Sequence, residues 1–395
     1  MFEIAVLGCG TIGSGVVEVL REGASEIEKK AGEAVRVRRV LDLRDLPGLE
    51  GALTRDFNDI LTDGQIRAVV ETMGGTEPAY TYAGKLLRAG KSVITSNKEL
   101  VAAHGAELLA LARENGVSFM FEASVGGGVP VIRPMNAALA SDSVREIAAI
   151  LNGTTNYILT KMAEGGADFA EALRQAQELG YAEKNPDADV NGHDTCRKLA
   201  ILLSLATGRT ADYKDIPTEG ISGVDMKDAA YAAKIGGGVK LIARALLDGE
   251  RVTAFVAPMI VLGSHPVSVA GDVFNAIFIR GAFTGELMFY GRGAGKLPTA
   301  AAVVSDVIDC ARAGSAHITH VWEDKKAEIA PVSGNVCRRL VRLSGGEASV
   351  RERFADADII RLSGENGEFA FISPEGPEKD LDLSGLPVIK TMRIL

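Results

Sequence analysis

The sequence predicts an α/β fold, in which a doubly wound parallel sheet is followed by a mixed α/β domain and a short α+β extension. Two observations carry this prediction. Over about the first 125 residues, apolar strand-like runs alternate with helical apolar spacing, a pattern typical of a parallel sheet covered on both faces. After "ASVGGGVP" the alternation becomes less regular, which indicates a mixed sheet.

The first domain contains five strand-like runs. A helix is predicted behind the first of them, because Ile12, Val16, Val19 and Leu20 recur at helical spacing. The runs are "EIAVLG", "VRVRRVL", "IRAVVE", "KSVITS" and "VSFMFE", and the last three are separated by the helical patterns "PAYTYAGKLLRAG" and "ELVAAHGAELLALAREN".

The remainder of the chain mixes both element types. Strands are predicted for "REIAAILNG" and "RVTAFVAPMIVLG", and helices for 168–179 and 194–207. A proline near the start and a closing glycine make "GAGKLPTAAAVVSDVIDCARAG" a strong helix prediction. From about Ser333 onward, short strand-like runs surround one helical patch near Val350.

Composition limits the classes of partner. The chain has 395 residues and a net charge of −9, which disfavours nucleic acid and anionic membranes as main partners. The longest charge-free stretch, 252–271, contains prolines and glycines, so we expect no transmembrane helix. Four scattered cysteines suit a reducing cytoplasm and argue against a zinc site or a disulfide framework.

A glycine-rich turn opens the chain. Gly8, Gly10 and Gly13 form G-x-G-x-x-G between a predicted strand and a helix. The helix begins at Thr11, and Ile12 is its second residue. In a Rossmann domain these glycines allow the tight turn, the approach of a pyrophosphate and close helix packing. We therefore expect a dinucleotide cofactor at this turn, and a purely structural glycine turn is the alternative.

The residues that would read the cofactor's ribose follow the second strand. Asp42 is the candidate for the 2′-hydroxyl of NAD, although it lies farther along than the usual spacing of about 20 residues. Arg44 and Arg39 are close enough to accept the 2′-phosphate of NADP instead. The sequence leaves NAD and NADP both open.

Lys98 follows the end of the fourth predicted strand, and Thr95 and Ser96 lie just before it. In open α/β sheets ligands bind outside the carboxyl ends of the strands, so all three are candidates for the cofactor site. The alternative for Lys98 is a lysine that merely starts a helix, a position that is electrostatically poor for a cation.

A second lysine, Lys198, lies four residues after Asp194 and therefore on the same helix face. An apolar segment, "LAILLSLATG", follows it, so the lysine should be held by carboxylates or lie in a cleft. Asp189 and Glu183 are near in sequence. A solvent-exposed ion pair is the alternative.

Two further motifs carry polar or flexible groups. "LNGTTNYI" offers Asn152, Gly153 and Thr154 for a substrate carboxylate or the nicotinamide amide, while Thr155 and Asn156 are equally suited to cap a helix. In "YGRGAG", Gly293 belongs to a glycine turn that opens a helix, which suggests backbone contact with the cofactor.

Four long motifs, in order along the chain, resemble those of homoserine dehydrogenase, and the resemblance covers about residues 1–320. The motifs are "SNKELV" (96–101), "LNGTTNYIL" (151–159), "YAEKNPDADVNGHDTCRKLAILL" (181–203) and "FYGRGAGKLPTAAAVVSDV" (289–307).

The resemblance implies NAD(P)H-dependent reduction of L-aspartate 4-semialdehyde to L-homoserine, for threonine and methionine biosynthesis, by a cytoplasmic homodimer or homotetramer. It implies a discontinuous NAD(P)-binding Rossmann domain (1–140 and 291–320), a substrate-binding and dimerisation domain (141–290) and an extension (333–395). A non-catalytic NAD(P)-binding sensor and a dehydrogenase of another small amino-aldehyde are the alternatives.

The resemblance also implies roles for individual residues. Lys198 matches the proposed acid/base, Lys98 a second essential cation, and Glu183 the residue that binds the substrate's amino group, with Asp189 and Asp194 in the same polar cluster. Some members bind sodium at the positions of Glu122, Val125, Gly127 and Val129, where an interdomain hinge is the alternative.

Many members end in a threonine-sensing ACT module. Here the extension lacks the usual aspartate-proline-glycine opening, so we expect a degenerate ACT-like module and leave threonine feedback open. An extension that supports the dimer is the alternative.

Overall fold

A computed structural model gives the fold, and it describes residues 1–314, 316–364 and 367–395. The described chain divides into two compact units, each assembled from three stretches. The first unit comprises Met1–Ser143, Arg197–Tyr213 and Gly291–Ala327, and the second comprises Val144–Cys196, Lys214–Tyr290 and Glu328–Leu395.

The first unit contains a six-stranded, all-parallel sheet, which confirms the predicted Rossmann-type fold. Its strands are β1 (Phe2–Leu7), β2 (Val35–Leu41), β3 (Leu53–Thr54), β4 (Ile66–Glu71), β5 (Ser92–Thr95) and β6 (Phe119–Met120), in the order β3-β2-β1-β4-β5-β6. Its helices include α1 (Thr11–Glu22), α2 (Ala24–Ala31), α3 (Asn58–Leu61), α4 (Ala79–Arg88), α5 (Lys98–Glu114) and α11 (Lys296–Ala313).

The hydrophobic core of this unit contains the central strand β1 and the helix α11, which comes late in the chain. Every residue of β1 is buried, as expected for a strand covered on both faces. Helix α11 brings Val303, Val304 and Val307 into the same core as Val16 of α1. The two helices meet at Gly15, where an added Cβ would lie 3.0 Å from the Ala300 side chain.

Two local features differ from the sequence reading. Helix α2 occupies the connection between α1 and β2, and this extra helix accounts for the long spacing between Gly13 and Asp42. The two-residue strand β3 was not predicted, because so short an edge strand has no detectable alternation. The predicted fourth strand is consequently β5.

The second unit contains a nine-stranded mixed sheet, as predicted. Its strands are β7 (Val144–Ile150), β9 (Gly237–Asp248), β10 (Arg251–Leu262), β11 (Phe274–Gly281), β12 (Gly285–Arg292), β15 (Arg339–Leu343), β16 (Ile359–Ile360), β17 (Phe369–Ile372) and β19 (Val388–Ile394). They lie in the order β12-β11-β7-β9-β10-β19-β15-β17-β16. A short pair in the first unit is formed by β8 (Arg209–Thr210) with β13 (Glu323–Lys326), and one in the second unit by β14 (Val336–Cys337) with β18 (Gly376–Pro377).

The remaining helices are α6 (Gly153–Gly165), α7 (Phe169–Glu178), α8 (Asp187–Val190), α9 (His193–Thr207), α10 (Met226–Lys234) and α12 (Glu347–Arg353). Helix α6 begins at Gly153, and the Asn152 side chain caps it by accepting the Thr155 N–H at 2.8 Å. The alternative in which Thr155 or Asn156 caps this helix is therefore wrong.

The C-terminal strands continue the large sheet. β19 pairs in parallel with β10, and β19-β15-β17-β16 form an antiparallel group. With α12 between β15 and β16, this order is that of a βαββαβ unit. Between β17 and β19 the chain forms a single 3₁₀ turn, Glu378–Asp380, where that unit would place its second helix.

Candidate functional site

The glycine turn after β1 leaves no room for side chains at two of its three glycines. Gly8 has a φ of +83°, and a Cβ at Gly13 would lie 2.0 Å from the Gly8 carbonyl oxygen. A Cβ at Gly10 would meet nothing within 4 Å, so this backbone is open to a ligand. Helix α1 starts at Thr11 without a side-chain cap, leaving its first N–H groups for an anion. These features fit a dinucleotide pyrophosphate.

Asp42 lies beside this turn, and both of its carboxylate oxygens are occupied. Oδ2 accepts the Cys9 N–H at 2.8 Å and Arg44 Nη2 at 2.7 Å, while Oδ1 accepts the Arg44 N–H at 3.0 Å and Nε at 2.9 Å. The hydrogen bonds from Arg44 hold the pKa of Asp42 well below its usual range. The pair is therefore ionised at neutral pH.

A cavity of about 550 Å³ opens at the Asp42–Arg44 pair. It is lined by the glycine turn, by the end of β2 and by residues that follow β4. Its size is within the range of small-molecule sites, and its place at the carboxyl ends of β1, β2 and β4 is where a Rossmann sheet binds the adenosine half of a dinucleotide. Lining residues include Gly8, Gly10, Asp42, Arg44, Arg55, Thr72, Pro78 and Tyr82.

Lys98 is the first residue of α5, immediately beyond the carboxyl end of β5. Asn97 caps this helix, because its Oδ1 accepts the N–H groups of Glu99 and Leu100, each at 3.1 Å. The Thr95 hydroxyl does not face an open cleft: it donates to Glu71 Oε2 at 2.6 Å and accepts the Asn97 N–H at 2.9 Å. Ser96 and Lys98 are partly exposed.

Lys198 lies on α9 and, like Lys98, belongs to the first unit. The sequence neighbours of these two lysines approach each other, since Arg197 Nη1 is 4.0 Å from Glu99 Oε1. Arg197 also lies over the Tyr213 ring, 5.3 Å from its centroid. The start of α5 and this part of α9 are therefore close.

In the second unit, Asn152 holds two carboxylates together. Its Nδ2 donates to Asp189 Oδ1 at 2.8 Å and to Asp194 Oδ2 at 2.9 Å, while its Oδ1 caps α6. Two carboxylates that share one amide group favour a nearby cation such as an ammonium group. Thr154 donates to the Tyr181 carbonyl at 2.6 Å, and Glu183 is exposed.

Gly153 is closed against a neighbouring loop. A Cβ there would lie 2.9 Å from the Val273 carbonyl oxygen, so the start of α6 and the 270–274 loop are in direct contact. The sequence predicts substrate contacts for this helix start. The 270–274 loop forms one side of it.

Sequence reasoning missed Lys240 of β9. Its Nζ donates to Asn156 Oδ1 and to the Ala270 carbonyl, both at 2.9 Å, and burial lowers its pKa to about 8. Asn156 also donates to the Phe274 carbonyl at 3.0 Å, so the two residues hold the 270–274 loop on α6. A lysine inside a mostly apolar strand was the available signal.

The segment suggested for sodium, 122–129, is held by hydrogen bonds to Glu122 and by close backbone packing. The Glu122 carboxylate accepts the N–H groups of Val131, Ile132 and Arg133 at 2.6–2.9 Å, so its side chain is already engaged. At Gly127 an added Cβ would lie 2.4 Å from the Gly293 carbonyl oxygen, which places these two backbones side by side. Within the described residues, His, Cys, Asp and Glu side chains form no metal-binding group of three or more.

No helix in the described part of the chain combines the length and the apolar character that a membrane crossing requires.

Comparison with known proteins points to one family. A family model described as homoserine dehydrogenase matches residues 130–308, and a second, described as the NAD-binding domain of homoserine dehydrogenase, matches residues 8–122. The chain is 40% identical over 313 residues to homoserine dehydrogenase of Bacillus subtilis, covering 78% of this chain and 72% of that protein.

Solved structures agree. The crystal structure of a homoserine dehydrogenase from Thiobacillus denitrificans has a TM-score of 0.91 and 31% identity, covering 100% of this chain and 98% of that one. A hyperthermophilic archaeal homoserine dehydrogenase in complex with NADPH has a TM-score of 0.67 and 27% identity, covering 78% and 97%.

Proposed function

This chain belongs to the homoserine dehydrogenase family, NAD(P)-dependent oxidoreductases that act on a CH–OH group, and from that premise we propose how its own residues perform the reaction. The proposed reaction is the reduction of L-aspartate 4-semialdehyde to L-homoserine. Bound NAD(P)H supplies the hydride for the aldehyde carbon. The glycine turn, the uncapped start of α1 and the adjoining cavity would hold this cofactor.

Two lysines complete the chemistry at the carbonyl oxygen. Lys198 Nζ donates the proton that the forming alkoxide needs, and Lys98 stabilises the developing negative charge. Support comes from the position of Lys98 at the carboxyl end of β5 and from the contact between the sequence neighbours of the two lysines.

The substrate's polar groups are assigned to the second unit. Glu183 binds the amino group of the substrate. Asp189 and Asp194 add negative charge near this group, and Asn152 orients both carboxylates through its side-chain amide. Gly153 and Thr154 form the start of α6 against which the rest of the substrate lies. An ammonium-bearing substrate matches this excess of carboxylates.

Arg44 is assigned to the cofactor's 2′ position. All four acceptor positions of Asp42 are taken by Arg44 and Cys9, so a 2′-hydroxyl would have to displace Arg44. A 2′-phosphate would instead meet the Arg44 guanidinium directly. This arrangement favours NADPH over NADH.

Thr11, Ile12, Ser96 and the Gly293 backbone complete the cofactor site, with Thr95 acting from beneath it. Sodium would be held by the backbone carbonyls of 122, 125, 127 and 129. Residues 333–395 form a shortened ACT-like module, supported by the strand order β19-β15-β17-β16. The enzyme is assigned to the cytoplasm, as a homodimer or homotetramer.

The position of Lys98 beyond β5, in a sheet whose first turn fits a dinucleotide, carries this proposal. Its test is the initial rate of NADPH and NADH oxidation with aspartate 4-semialdehyde and with other short aldehydes. We expect Lys198→Ala to lower kcat about 1000-fold with unchanged Tm. Lys184→Ala, an exposed lysine of the same motif, is the control and should behave like wild type.

Two results would contradict the proposal. Near-normal turnover by a folded Lys198→Ala enzyme would remove Lys198 from the chemistry. Turnover of another amino-aldehyde, with none of aspartate 4-semialdehyde, would show that the proposed substrate is wrong. The non-catalytic sensor is not favoured, because the relatives and the structural neighbours are homoserine dehydrogenases.

A further inference from the structure

A buried carboxylate that the mechanism does not use lies at the carboxyl edge of the parallel sheet. Glu71 is the last residue of β4, is 1% exposed, and is paired in register with Thr95, the last residue of β5. Burial raises the pKa of Glu71. Placing an ionisable group in the interior is costly, so its position here calls for a reason.

Glu71 starts a chain of hydrogen bonds that ends at the first turn of α5. Its Oε2 accepts the Thr95 hydroxyl at 2.6 Å, and Thr95 Oγ1 in turn accepts the Asn97 N–H at 2.9 Å. The Asn97 side chain then caps α5. Lys98 is the residue after Asn97, so each of these hydrogen bonds restricts the position of the Lys98 backbone.

The same carboxylate holds the loop that follows β4. Glu71 Oε1 accepts the Met73 N–H at 2.7 Å, and Asn97 Nδ2 donates to the Gly75 carbonyl at 2.6 Å. Thr72 donates to the Gly8 carbonyl at 2.7 Å, which ties this loop to the glycine turn. One buried carboxylate thus connects the glycine turn with the start of α5.

We propose that Glu71 is a positioning residue for the reaction: through the Thr95 hydroxyl and the Asn97 cap, it fixes Lys98 relative to the glycine turn that holds the cofactor. The inference rests on the proposed role of Lys98. It assigns Thr95 to this relay and not to direct side-chain contact with the cofactor, since Thr95 is 0% exposed.

Substitutions at Thr95 separate a relay from simple packing. Thr95→Val keeps the shape and removes the hydroxyl, whereas Thr95→Ser keeps the hydroxyl and loses a methyl group. We expect Thr95→Val to lower kcat about 10- to 100-fold, and Thr95→Ser to stay within about threefold of wild type, because misplacing a catalytic group by about 1 Å can cost 100-fold. If packing alone mattered, Thr95→Val would be the better enzyme.

Glu71→Gln offers one acceptor where Glu71 offers two, so it should lower kcat about tenfold. The double variant Glu71→Gln/Thr95→Val should lose less kcat than the product of the two single losses, because both changes cut the chain to Asn97. The dissociation constant of NADPH, followed by its fluorescence, should stay within about twofold in all variants. Lys91→Met is the control, since Lys91 is 5% exposed, borders the opposite end of β5 and should leave kcat unchanged.

Each outcome decides between the two hypotheses. Wild-type kcat in Thr95→Val, additive losses in the double variant, or a parallel loss of NADPH binding would overturn the positioning role. A Lys98→Ala enzyme that retains turnover would instead overturn the role of Lys98 in the proposed function. An inactive Lys98→Ala enzyme beside a fully active Thr95→Val enzyme would reject only the inference drawn from Glu71.

Discussion

Glu71 in the first unit and Arg342 in the second are both almost completely buried, but their charges are held differently. Glu71 is bonded by neutral groups, the Thr95 hydroxyl and the Met73 N–H. Arg342 is bonded by three carboxylates, those of Asp225, Asp228 and Glu368. The cluster with neutral partners borders the proposed active site, whereas the charge-compensated cluster joins the C-terminal strands to α10. Compensation of buried charge therefore differs between the Arg342 cluster and the Glu71 cluster beside the proposed active site.

The largest effect expected from this comparison concerns Arg342. Arg342→Met removes the central cation of this cluster and leaves Asp228 with Lys390 and Glu368 with Lys227 as their remaining partners, so it should lower the free energy of unfolding by about 3 kcal/mol. Urea unfolding measures this loss. Turnover of the folded fraction should be unchanged, because the cluster lies outside the proposed site.

The matched control is Arg351→Ala. Arg351 pairs with Glu347 on the exposed face of α12, and such pairs contribute about 0.5 kcal/mol or less. Equal losses in the two variants would mean that burial adds nothing to the Arg342 cluster.

Lys240 extends the comparison to a partly buried cation whose hydrogen-bond acceptors are neutral groups. Its pKa falls from 10.5 to about 8, so between these values the unfolded chain binds a proton that the folded chain does not. Stability should therefore rise as pH increases from 8 to 10, by about 1–2 kcal/mol, and Lys240→Met should lose this rise. Urea unfolding at three pH values measures both slopes.

Lys161 provides the contrasting control. Its ammonium lies 3.3 Å from Asp272, whose hydrogen bond raises the pKa of Lys161. Lys161→Met should therefore keep the alkaline rise. If Lys240→Met kept it too, the rise would have to be assigned to other groups.

The Asp42–Arg44 pair gives the smallest effect and could contradict the comparison, since it is charge-compensated and yet lines the cavity proposed for the cofactor. Arg44→Ala should raise the KM for NADPH about tenfold and the KM for NADH less than about threefold. Steady-state kinetics with both cofactors measures the ratio. Equal losses for both would show that Arg44 only orders Asp42.

Periodicity and glycine spacing predicted the parallel sheet, the glycine turn and α11, because these depend on apolar patterns and backbone sterics that are local in sequence. Lys98 was predicted as a site residue because it follows the carboxyl end of a predicted strand and because a lysine at a helix start is electrostatically unfavourable. Glu71 and Lys240 were not found. Their significance depends on partners in other elements, and a charged residue in a mostly apolar strand looks the same in the sequence whether its side chain is exposed or buried.

The three-part construction of the first unit has a consequence for dissecting this protein. Val303, Val304 and Val307 of α11 fill the core against α1, yet they follow the whole of β7–β12 in the chain. An excised segment ending near Ser143 would expose an apolar surface where α11 packs in the full chain, and such surfaces promote aggregation. A soluble minimal nucleotide-binding fragment would need 291–327 grafted back through a short linker.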